Sequence, residues 1–492
     1  MTLPLERSAA LETEHDLLVS FAEQAEQQGW KDREDWSELR RELGRIPRSL
    51  SPREIENRLD GQADKIRRAL LRRGHWFDVE HMRSPDSQSD RLMPNGEPLH
   101  HAYERSVPAE ALERRLAARV GLADTGWTST TVATRSAMAA LHLVLTSLGH
   151  MLQPTPDRPL RIGFAGSYFE TTTLLEYLSS PVLQVTWLGD DQSSWSDAGA
   201  GAAGVPEVLV LEPVRYDWGL RPIDVQALLR TWSERRRRPR IVVIDTTLSS
   251  AAWPTAKVLA ALGRGPGAPM VIEVRSGLKL DQQGLEVANL GVIDVFAHDQ
   301  GAPGTPSPEQ LGTTLRLMRG TLGAGLSVSS LAALDAPFLL TEAWTRIHAG
   351  QVMANNARVA EILASTKGLF REVVHPSLGV SGTVRHAPFV IGRIEGGDAV
   401  ADHGLVLAVI REAIRERGLV AVHGSSFGFR HTRFETILPR ADSGTGLFKV
   451  AAGSRAGPSL EGLIEVLQDI GGMDSMKSLR RRYGALTPVP LR

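Results

Sequence analysis

The sequence contains no cysteine among its 492 residues. Disulfide bonds, thiolate nucleophiles and cysteine-ligated metal sites are therefore excluded, and the redox compartment stays undetermined. Excess charge of either sign is also missing, because the net charge is −1. The composition thus gives no general attraction to nucleic acid or to anionic membranes.

Long apolar runs are absent as well. No run reaches the roughly 18 residues that a membrane helix requires, and the segment from Met1 to Glu14 lacks the basic stretch and apolar run of a secretory signal. The hydrophobic content of 42% and charged content of 23% are ordinary for a soluble globular protein. We therefore expect a cytoplasmic protein, and its length predicts two or more domains.

Several common catalytic signatures are missing or incomplete. The 14 histidines show neither an H-E-x-x-H motif nor another clustered ligand spacing, so no metal site is predicted. No G-x-S-x-G motif is present, which disfavours a hydrolase of that type. The segment "GRGPG" at 263–267 lacks the Lys-Ser/Thr ending of a P-loop and is predicted to be a surface turn.

The chain divides into three parts by pattern. Residues 1–99 are charged with apolar residues at helical spacing, which predicts a helical N-terminal extension, and residues 83–98 within it are predicted to be a linker or mobile loop. In "SPREIENRL", Ser51, Pro52 and Glu54 have the spacing of a capped helix start. Residues 100–337 are predicted to form a large domain, and residues 338–492 a connecting helix with a smaller α+β domain. One predicted helical stripe comprises Leu17, Leu18, Phe21 and Ala25.

In residues 100–337, short apolar runs alternate with helical stretches. The runs include "LRIGFAG", "EVLVLEP", "RIVVIDTT" and "PMVIEVRS". Strands of this kind separated by helices predict an α/β fold with a largely parallel sheet covered on both faces.

Two charged residues follow apolar runs directly. Asp245 ends "IVVID", and Lys279 comes shortly after "PMVIEVRS". Ligands of open α/β sheets bind at the carboxyl ends of strands, although Asp245 by itself would fit a turn cap equally well. An aspartate and a lysine at neighbouring strand ends can serve one planar cofactor, the lysine as a Schiff-base amine and the aspartate as partner of a pyridinium nitrogen.

An ordered set of motifs over about residues 100–472 resembles the pyridoxal-phosphate enzymes of cysteine and methionine metabolism, the cystathionine γ-synthase and methionine γ-lyase group. The family's phosphate loop S-G-M-A-A is similar to "SAMAA", its V-D-N-T to "IDTT", its S-A-T-K to "SGLK" and its R-L-S-V-G to "KVAAG". The other segments that resemble family motifs are "YERSVP", "GSYFETTTLL", "LEP", "HAGQVMANNARVAEIL" and "SSFGFRHTRFE".

The resemblance implies the fold of type I pyridoxal-phosphate-dependent transferases. It comprises a large domain with a mostly parallel seven-stranded sheet, a smaller α+β C-terminal domain and, in this chain, a helical N-terminal extension. It also implies a cofactor, pyridoxal 5'-phosphate, and an active unit that is at least a dimer and belongs to a homotetramer. The partners it implies are an amino-acid substrate and further copies of the chain, with no nucleic acid and no membrane.

The resemblance assigns a role to each matching residue. Lys279 would carry the cofactor and move protons, Asp245 would pair with the ring nitrogen, and Tyr168 would stack on the ring and protonate a leaving group. Tyr103 and Arg105 would reach into the partner subunit's site and bind the phosphate. The remaining cofactor-binding positions are Ser136, Ala137, Met138, Tyr216, Thr247 and Ser276, and the substrate-binding positions are Ser426, Arg433 and Lys449.

This sequence departs from the family at several of these positions. Ala137 replaces a glycine of the phosphate loop, and Leu278 replaces the threonine before the lysine. Tyr216 is the nearest candidate for the asparagine that touches the ring's phenolic oxygen. Lys449 occupies the position at which the family has an arginine that binds the substrate carboxylate. Lysine offers a point charge and cannot form the two parallel hydrogen bonds of an arginine. Arg433 is a candidate for that bidentate role, and it would equally suit a surface strand.

The resemblance predicts a lyase that eliminates or replaces a β or γ substituent of an amino acid through aldimine, quinonoid and ketimine intermediates. The extension and the altered carboxylate clamp indicate a specialised biosynthetic branch. A narrower similarity, to the bacterial enzyme that forms propargylglycine from a chlorinated allylglycine, would imply γ-elimination of halide. The alternatives are an aminotransferase on the same fold and a non-catalytic binding protein that has kept the fold.

Overall fold

The structure is a computed structural model. It describes residues 4–27, 36–47, 49–81, 107–117, 125–189, 206–224, 238–263, 267–379, 386–394, 400–437 and 447–490, and the isolated positions 92, 93, 96, 98, 105, 121, 122 and 228. The described helices are α1 (Pro4–Gln27), α2 (Trp36–Gly44), α3 (Pro52–His81), α4 (Glu110–Ala117), α5 (Ala137–Leu152), α6 (Phe169–Leu178), α7 (Thr255–Leu262), α8 (Pro308–Thr321), α9 (Val328–Leu334), α10 (Glu342–Ser365), α11 (Val400–Arg417), α12 (Pro458–Gly471) and α13 (Met476–Tyr483).

A seven-stranded sheet forms the centre of the large α/β layer. Its strands are β1 (Trp127–Thr134), β2 (Leu160–Ala165), β3 (Leu183–Trp187), β4 (Val208–Leu211), β5 (Ile241–Asp245), β6 (Met270–Ser276) and β7 (Gly291–His298), in the order β1-β7-β6-β5-β4-β2-β3. Strands β6, β5, β4, β2 and β3 run parallel, and β7 is antiparallel to both of its neighbours. Strand β4 is buried throughout, as a sheet covered on both faces requires. The predicted α/β fold with a mostly parallel seven-stranded sheet is confirmed.

A second sheet belongs to the C-terminal part of the chain. It consists of β8 (Phe370–Val374), β9 (Val390–Ile394), β10 (Ala421–His423), β11 (Thr432–Ile437) and β12 (Leu447–Ala451), in the order β10-β11-β12-β9-β8. Its apolar face shares a core with α10, α11 and α12. The predicted α+β character is confirmed, while the domain boundaries at residues 99 and 337 remain predictions.

The connecting helix starts later than its sequence pattern indicates. The pattern predicts a helix from residue 338, whereas α10 begins at Glu342. Leu340 adopts a φ of 61°, a left-handed conformation that a helix cannot contain. The buried Phe338–Leu340 turn packs instead with the N-terminal helices.

The N-terminal helices pack on the rest of the chain. As predicted, α3 begins with a capping box, in which the Ser51 amide donates to Glu54 Oε2 at 2.9 Å and the Glu54 amide donates to Ser51 Oγ at 3.3 Å. The predicted stripe of α1 is buried in a core that also includes α9. The predicted linker at 83–98 lies outside the described residues except at positions 92, 93, 96 and 98. Among the helices that the structure describes, none combines the length and apolarity needed to cross a bilayer.

Candidate active site

A cavity of about 230 Å³ opens at the carboxyl ends of the parallel strands. Its walls come from the segments that follow β2, β4, β5 and β6, together with the N-terminus of α5 and the residue Phe427. This is the edge of an open α/β sheet at which ligands bind. The lining residues are Ser136, Ala137, Met138, Tyr168, Glu170, Glu212, Val214, Tyr216, Asp245, Thr247, Leu248, Ser276, Lys279 and Phe427.

Lys279 projects into this cavity from a loop that we call the lysine loop, residues 277–284. Its Nζ lies 4.2 Å from the centre of the Phe427 ring. Burial and the positive charge of Lys449 lower the pKa of Lys279 to about 8, and Asp245 opposes this only in part. At pH 7 about one Lys279 side chain in ten is then neutral, against roughly one in three thousand for an ordinary lysine. Lys279 is therefore available as a nucleophile.

Buried ion pairs hold the lysine loop. Asp281, two residues after Lys279, is inaccessible to solvent, and its carboxylate accepts from Arg275 Nε of β6 at 2.9 Å. The same guanidinium is paired with Asp294 of β7, which also accepts from Thr131 Oγ1 of β1 at 2.6 Å. Three strands thus fix a residue two positions after Lys279, and breaking such a buried network costs about 3–5 kcal/mol.

Asp245 faces Lys279 across the cavity from the end of β5. Burial raises the pKa of this carboxyl, although hydrogen bonding from Thr247 and the charge of Lys279 lower it. The Thr247 amide donates to Asp245 Oδ1 at 2.9 Å, and Thr247 Oγ1 accepts from the Ser276 amide of β6 at 3.0 Å. These hydrogen bonds join the ends of β5 and β6 beside Asp245. A further positive charge in the cavity would stabilise the ionised form of its carboxylate.

The N-terminus of α5 closes another side of the cavity. Ser136 caps this helix, and its Oγ accepts from the Ala139 amide at 3.1 Å. Ala137 and Met138 form the first turn, where free amides and the helix dipole attract anions. Leu278, which is half-buried beside Lys279, contributes no hydroxyl to this region.

Tyr168 precedes α6, and two carboxylates lie around it that the sequence interpretation did not select. Its hydroxyl donates to Glu170 Oε2 at 2.8 Å, and its amide donates to Glu212 Oε1 at 3.1 Å. Burial and the hydrogen bond with Glu170 raise the pKa of the Tyr168 phenol. Glu212 also accepts from the Ser167 amide at 3.0 Å, and burial with the nearby charge of Asp245 raises its pKa to about 7.

Tyr216 connects the cavity to the second sheet. Its ring meets that of Tyr168 edge-on at 5.2 Å between centroids, and its hydroxyl accepts from Lys449 Nζ at 3.2 Å. Lys449 also pairs with Glu435 at 2.9 Å and lies 4.9 Å from the Phe389 ring centre. With 2% of its surface exposed, Lys449 is a buried cation behind Tyr216 and does not itself line the cavity.

Ser426 lies within the segment that we call the Phe427 loop, residues 424–431, and Arg433 follows that loop; neither lines the cavity. Arg433 pairs with Glu286 at 2.7 Å and stacks on the Phe429 ring at 4.1 Å. Its Nε is buried and has no partner within the described residues. Ser426 holds a φ of 78°, a strained conformation for a residue with a side chain.

The two residues predicted to reach a partner subunit are placed differently. Tyr103 lies outside the described residues. Arg105 is exposed and does not line the cavity, and its carbonyl lies beside Gly325. The other predicted cofactor-binding residues line one cavity together. Their roles remain predictions.

No known protein-family model and no curated protein matches this sequence. Solved structures do match its fold. Apo CalE6, a methionine γ-lyase from Micromonospora echinospora, aligns with a TM-score of 0.52 and 18% identity over 81% of this chain and 93% of its own. Cystathionine γ-lyase from yeast gives 0.53 and 17%, over 84% and 98%. Cystathionine γ-synthase from Xanthomonas oryzae pv. oryzae, in complex with aminoacrylate and cysteine, gives 0.55 and 18%, over 85% and 98%. At this identity the likeness establishes the fold, which is that of type I pyridoxal-phosphate enzymes.

Proposed function

We propose that the protein is a pyridoxal-phosphate-dependent lyase, or a γ-substituting enzyme, that expels a leaving group from the side chain of an amino acid. The observation that carries this proposal is the placement of Lys279 and Asp245 across one cavity at the carboxyl ends of β5 and β6. The solved structures with this fold include lyases and synthases that act at the γ position. Transamination on the same scaffold is the alternative, and it would yield a keto acid.

The residues present suit this cofactor. Asp245 is a half-buried carboxylate whose pKa is raised by burial and lowered only in part by Thr247 and Lys279, and a protonated pyridine nitrogen would add a stabilising charge. The N-terminus of α5, with the hydroxyls of Ser136, Thr247 and Ser276 at the same cavity, would hold the phosphate. Tyr168 and Tyr216 would contact the ring. When bound, the cofactor would supply the aldehyde and the electron sink.

Lys279 would bind the aldehyde through its neutral amine and, once the substrate amine has displaced it, would move the proton at the substrate Cα. Its lowered pKa leaves it able to accept that proton at neutral pH. The strand network around Asp281 would keep Nζ in place during both tasks.

The substrate carboxylate would bind beside the Phe427 loop, and we propose Arg433, Lys449 and Ser426 for this role. The unpartnered Nε of Arg433 is a donor that a carboxylate would satisfy, which matters because a buried donor without a partner costs about 1–3 kcal/mol. Lys449 is already paired with Glu435, so it would act mainly by orienting Tyr216.

The active unit that we propose is a homo-oligomer in which Tyr103 and Arg105 of one subunit contribute to the phosphate site of the next. The leaving group is a thiol, an acyl oxygen or a halide. Elimination of halide from a chlorinated allylglycine, giving propargylglycine, is the most specific of these proposals and is tested with the others.

A spectral experiment tests the cofactor assignment. The purified protein should become coloured on addition of pyridoxal phosphate, and Lys279→Ala should abolish the visible band, whereas Lys257→Ala, at an exposed lysine of α7, should retain it. Amino acids with the three leaving groups should then be screened for release of the leaving group and of a keto acid. A protein that stays colourless with pyridoxal phosphate would refute the proposal.

A further inference from the structure

Glu170 lies where the cavity meets solvent. It lines the cavity and is exposed, and its Oε2 accepts from the Tyr168 hydroxyl at 2.8 Å. The Tyr168 proton is therefore shared with a carboxylate that lines the same cavity. The charge of Glu170 also raises the pKa of Lys279. Glu170 therefore interacts electrostatically with both Tyr168 and Lys279.

The surroundings of Tyr168 disfavour a free phenolate. The other ionisable groups that line the cavity near it are Glu212, Tyr216, Asp245 and Lys279. Burial, the hydrogen bond and charge of Glu170, and the charge of Asp245 all oppose a negative charge on Tyr168, and they raise the pKa of its phenol. If Tyr168 gave up its proton without compensation, it would leave a phenolate beside Glu170. Any proton that Tyr168 donates must therefore be replaced as it leaves.

We propose that Tyr168 and Glu170 form a two-residue proton relay, in which Glu170 stores a proton taken from a substrate carbon and returns it through the Tyr168 hydroxyl to the leaving group. This inference rests on the proposed elimination. It extends that proposal by naming Glu170 as a positioning residue that acts through Tyr168.

The relay balances at each step. In the first step, after Lys279 has moved the Cα proton, the substrate Cβ–H bond breaks, and its electron pair stays with the substrate. The proton binds to the Tyr168 oxygen while the phenol's own proton passes to Glu170 Oε2, so the phenol stays neutral. In the second step, Glu170 returns its proton to Tyr168 as the phenol protonates the departing group, whose bond to carbon breaks with both electrons.

The test compares Glu170→Gln, Tyr168→Phe and the double variant with the wild-type holoenzyme. Glu170→Gln keeps the size of the side chain but cannot accept a proton, so kcat should fall about 100-fold, within the range of lost acid–base catalysis, with KM changing by less than about threefold. Because the two residues act as one unit, the double variant should be no slower than Tyr168→Phe alone. Glu176→Gln, an exposed position on the same helix, is the matched control.

A second readout does not depend on activity. The chain has five tyrosines, so the 13C resonances of their Cζ atoms can be assigned with Tyr168→Phe in the full-length protein, with and without cofactor. Glu170→Gln should move the Tyr168 resonance, because the carboxylate acceptor is replaced by a neutral amide, and Glu176→Gln should not.

Three results would overturn the relay: additive losses in the double variant, a change confined to KM, or a Tyr168 resonance that Glu170→Gln leaves in place. The cofactor band of Glu170→Gln separates this failure from failure of the proposed function. A coloured variant with wild-type kcat refutes the relay alone, whereas a wild-type protein without a cofactor band refutes the elimination itself.

Discussion

Neutralising Glu14 should weaken the packing of the N-terminal helices against the C-terminal part of the chain. Glu14 of α1 is 9% exposed and lies between two buried guanidiniums. Arg455 donates to it from Nε and from a terminal nitrogen, each at 2.8 Å, and Arg430 donates from Nε at 3.2 Å. Asp60 of α3 accepts from Arg455 at 3.2 Å and is the other described carboxylate in ion-pairing distance of these two arginines.

The magnitude follows from the pKa of Glu14. Burial alone would raise it, but Arg455 and Arg430 lower it from 4.5 to about 2. The difference between these two pKa values corresponds to about 3 kcal/mol of folding free energy, and removing one partner of a buried pair costs about 3–5 kcal/mol. Because the folded-state pKa lies below the unfolded one, this stabilisation is complete above pH 4.5 and is lost as the pH falls toward about 2.

Urea unfolding of Glu14→Gln, followed by far-ultraviolet circular dichroism, should show this loss at pH 7. Glu12→Gln, an exposed position on the same helix, should stay within about 0.5 kcal/mol of wild type. The difference in unfolding free energy between wild type and Glu14→Gln should then become smaller between pH 4.5 and pH 3. The reasoning fails if the two variants unfold alike at pH 7, or if the gap does not depend on pH.

Three further outcomes are expected at the cavity. The rate of cofactor attachment should rise with pH up to about 8, as Lys279 loses its proton. In Lys449→Met this rise should move to higher pH, because the neighbouring positive charge is gone. Stopped-flow absorbance measures both rates, and an unchanged midpoint of the pH profile would exclude the electrostatic effect of Lys449 on Lys279. Leu278→Thr should bind pyridoxal phosphate about 2- to 12-fold more tightly, since it adds one hydrogen bond worth roughly 0.5–1.5 kcal/mol; equal or weaker binding in an absorbance titration would show that the position does not face the phosphate. Asp245→Asn should weaken cofactor binding by about 10- to 100-fold, the value of a lost charge-assisted bond, and retention of wild-type affinity would separate Asp245 from the ring nitrogen.

The sequence predicted the parts of the site that lie at strand ends. Asp245 and Lys279 could be found because a polar residue directly after a buried apolar run marks the carboxyl edge of a sheet. The same signal marks Glu212, which follows β4 directly. Glu170 carried a weaker signal, since a glutamate in the first turn of a helix is common on helix dipole grounds alone.

Contacts between distant segments could not be predicted in this way. Lys449 and Tyr216 are 233 positions apart, and Glu14 and Arg430 are 416 apart. A propensity or a motif describes neighbours along the chain, whereas these pairs depend on how the two sheets and the N-terminal helices pack. The helices of the extension were therefore predicted correctly, while their attachment to the C-terminal part was not.

That attachment has a consequence for the cavity wall. Arg430, which Glu14 holds, belongs to the same short loop as Phe427, whose ring faces Lys279. Gly428, which follows Phe427, has a φ of 79° and lies beside Leu280. Its carbonyl is hydrogen-bonded to His348 Nε2 at 2.9 Å. The glycine turn and the Glu14 ion pairs therefore both hold the backbone that carries the Phe427 ring. Helix α1 thus supports one wall of the candidate pocket through residues more than 400 positions away. A chain shortened to residue 100 onward should lose the shape of that pocket as well as stability.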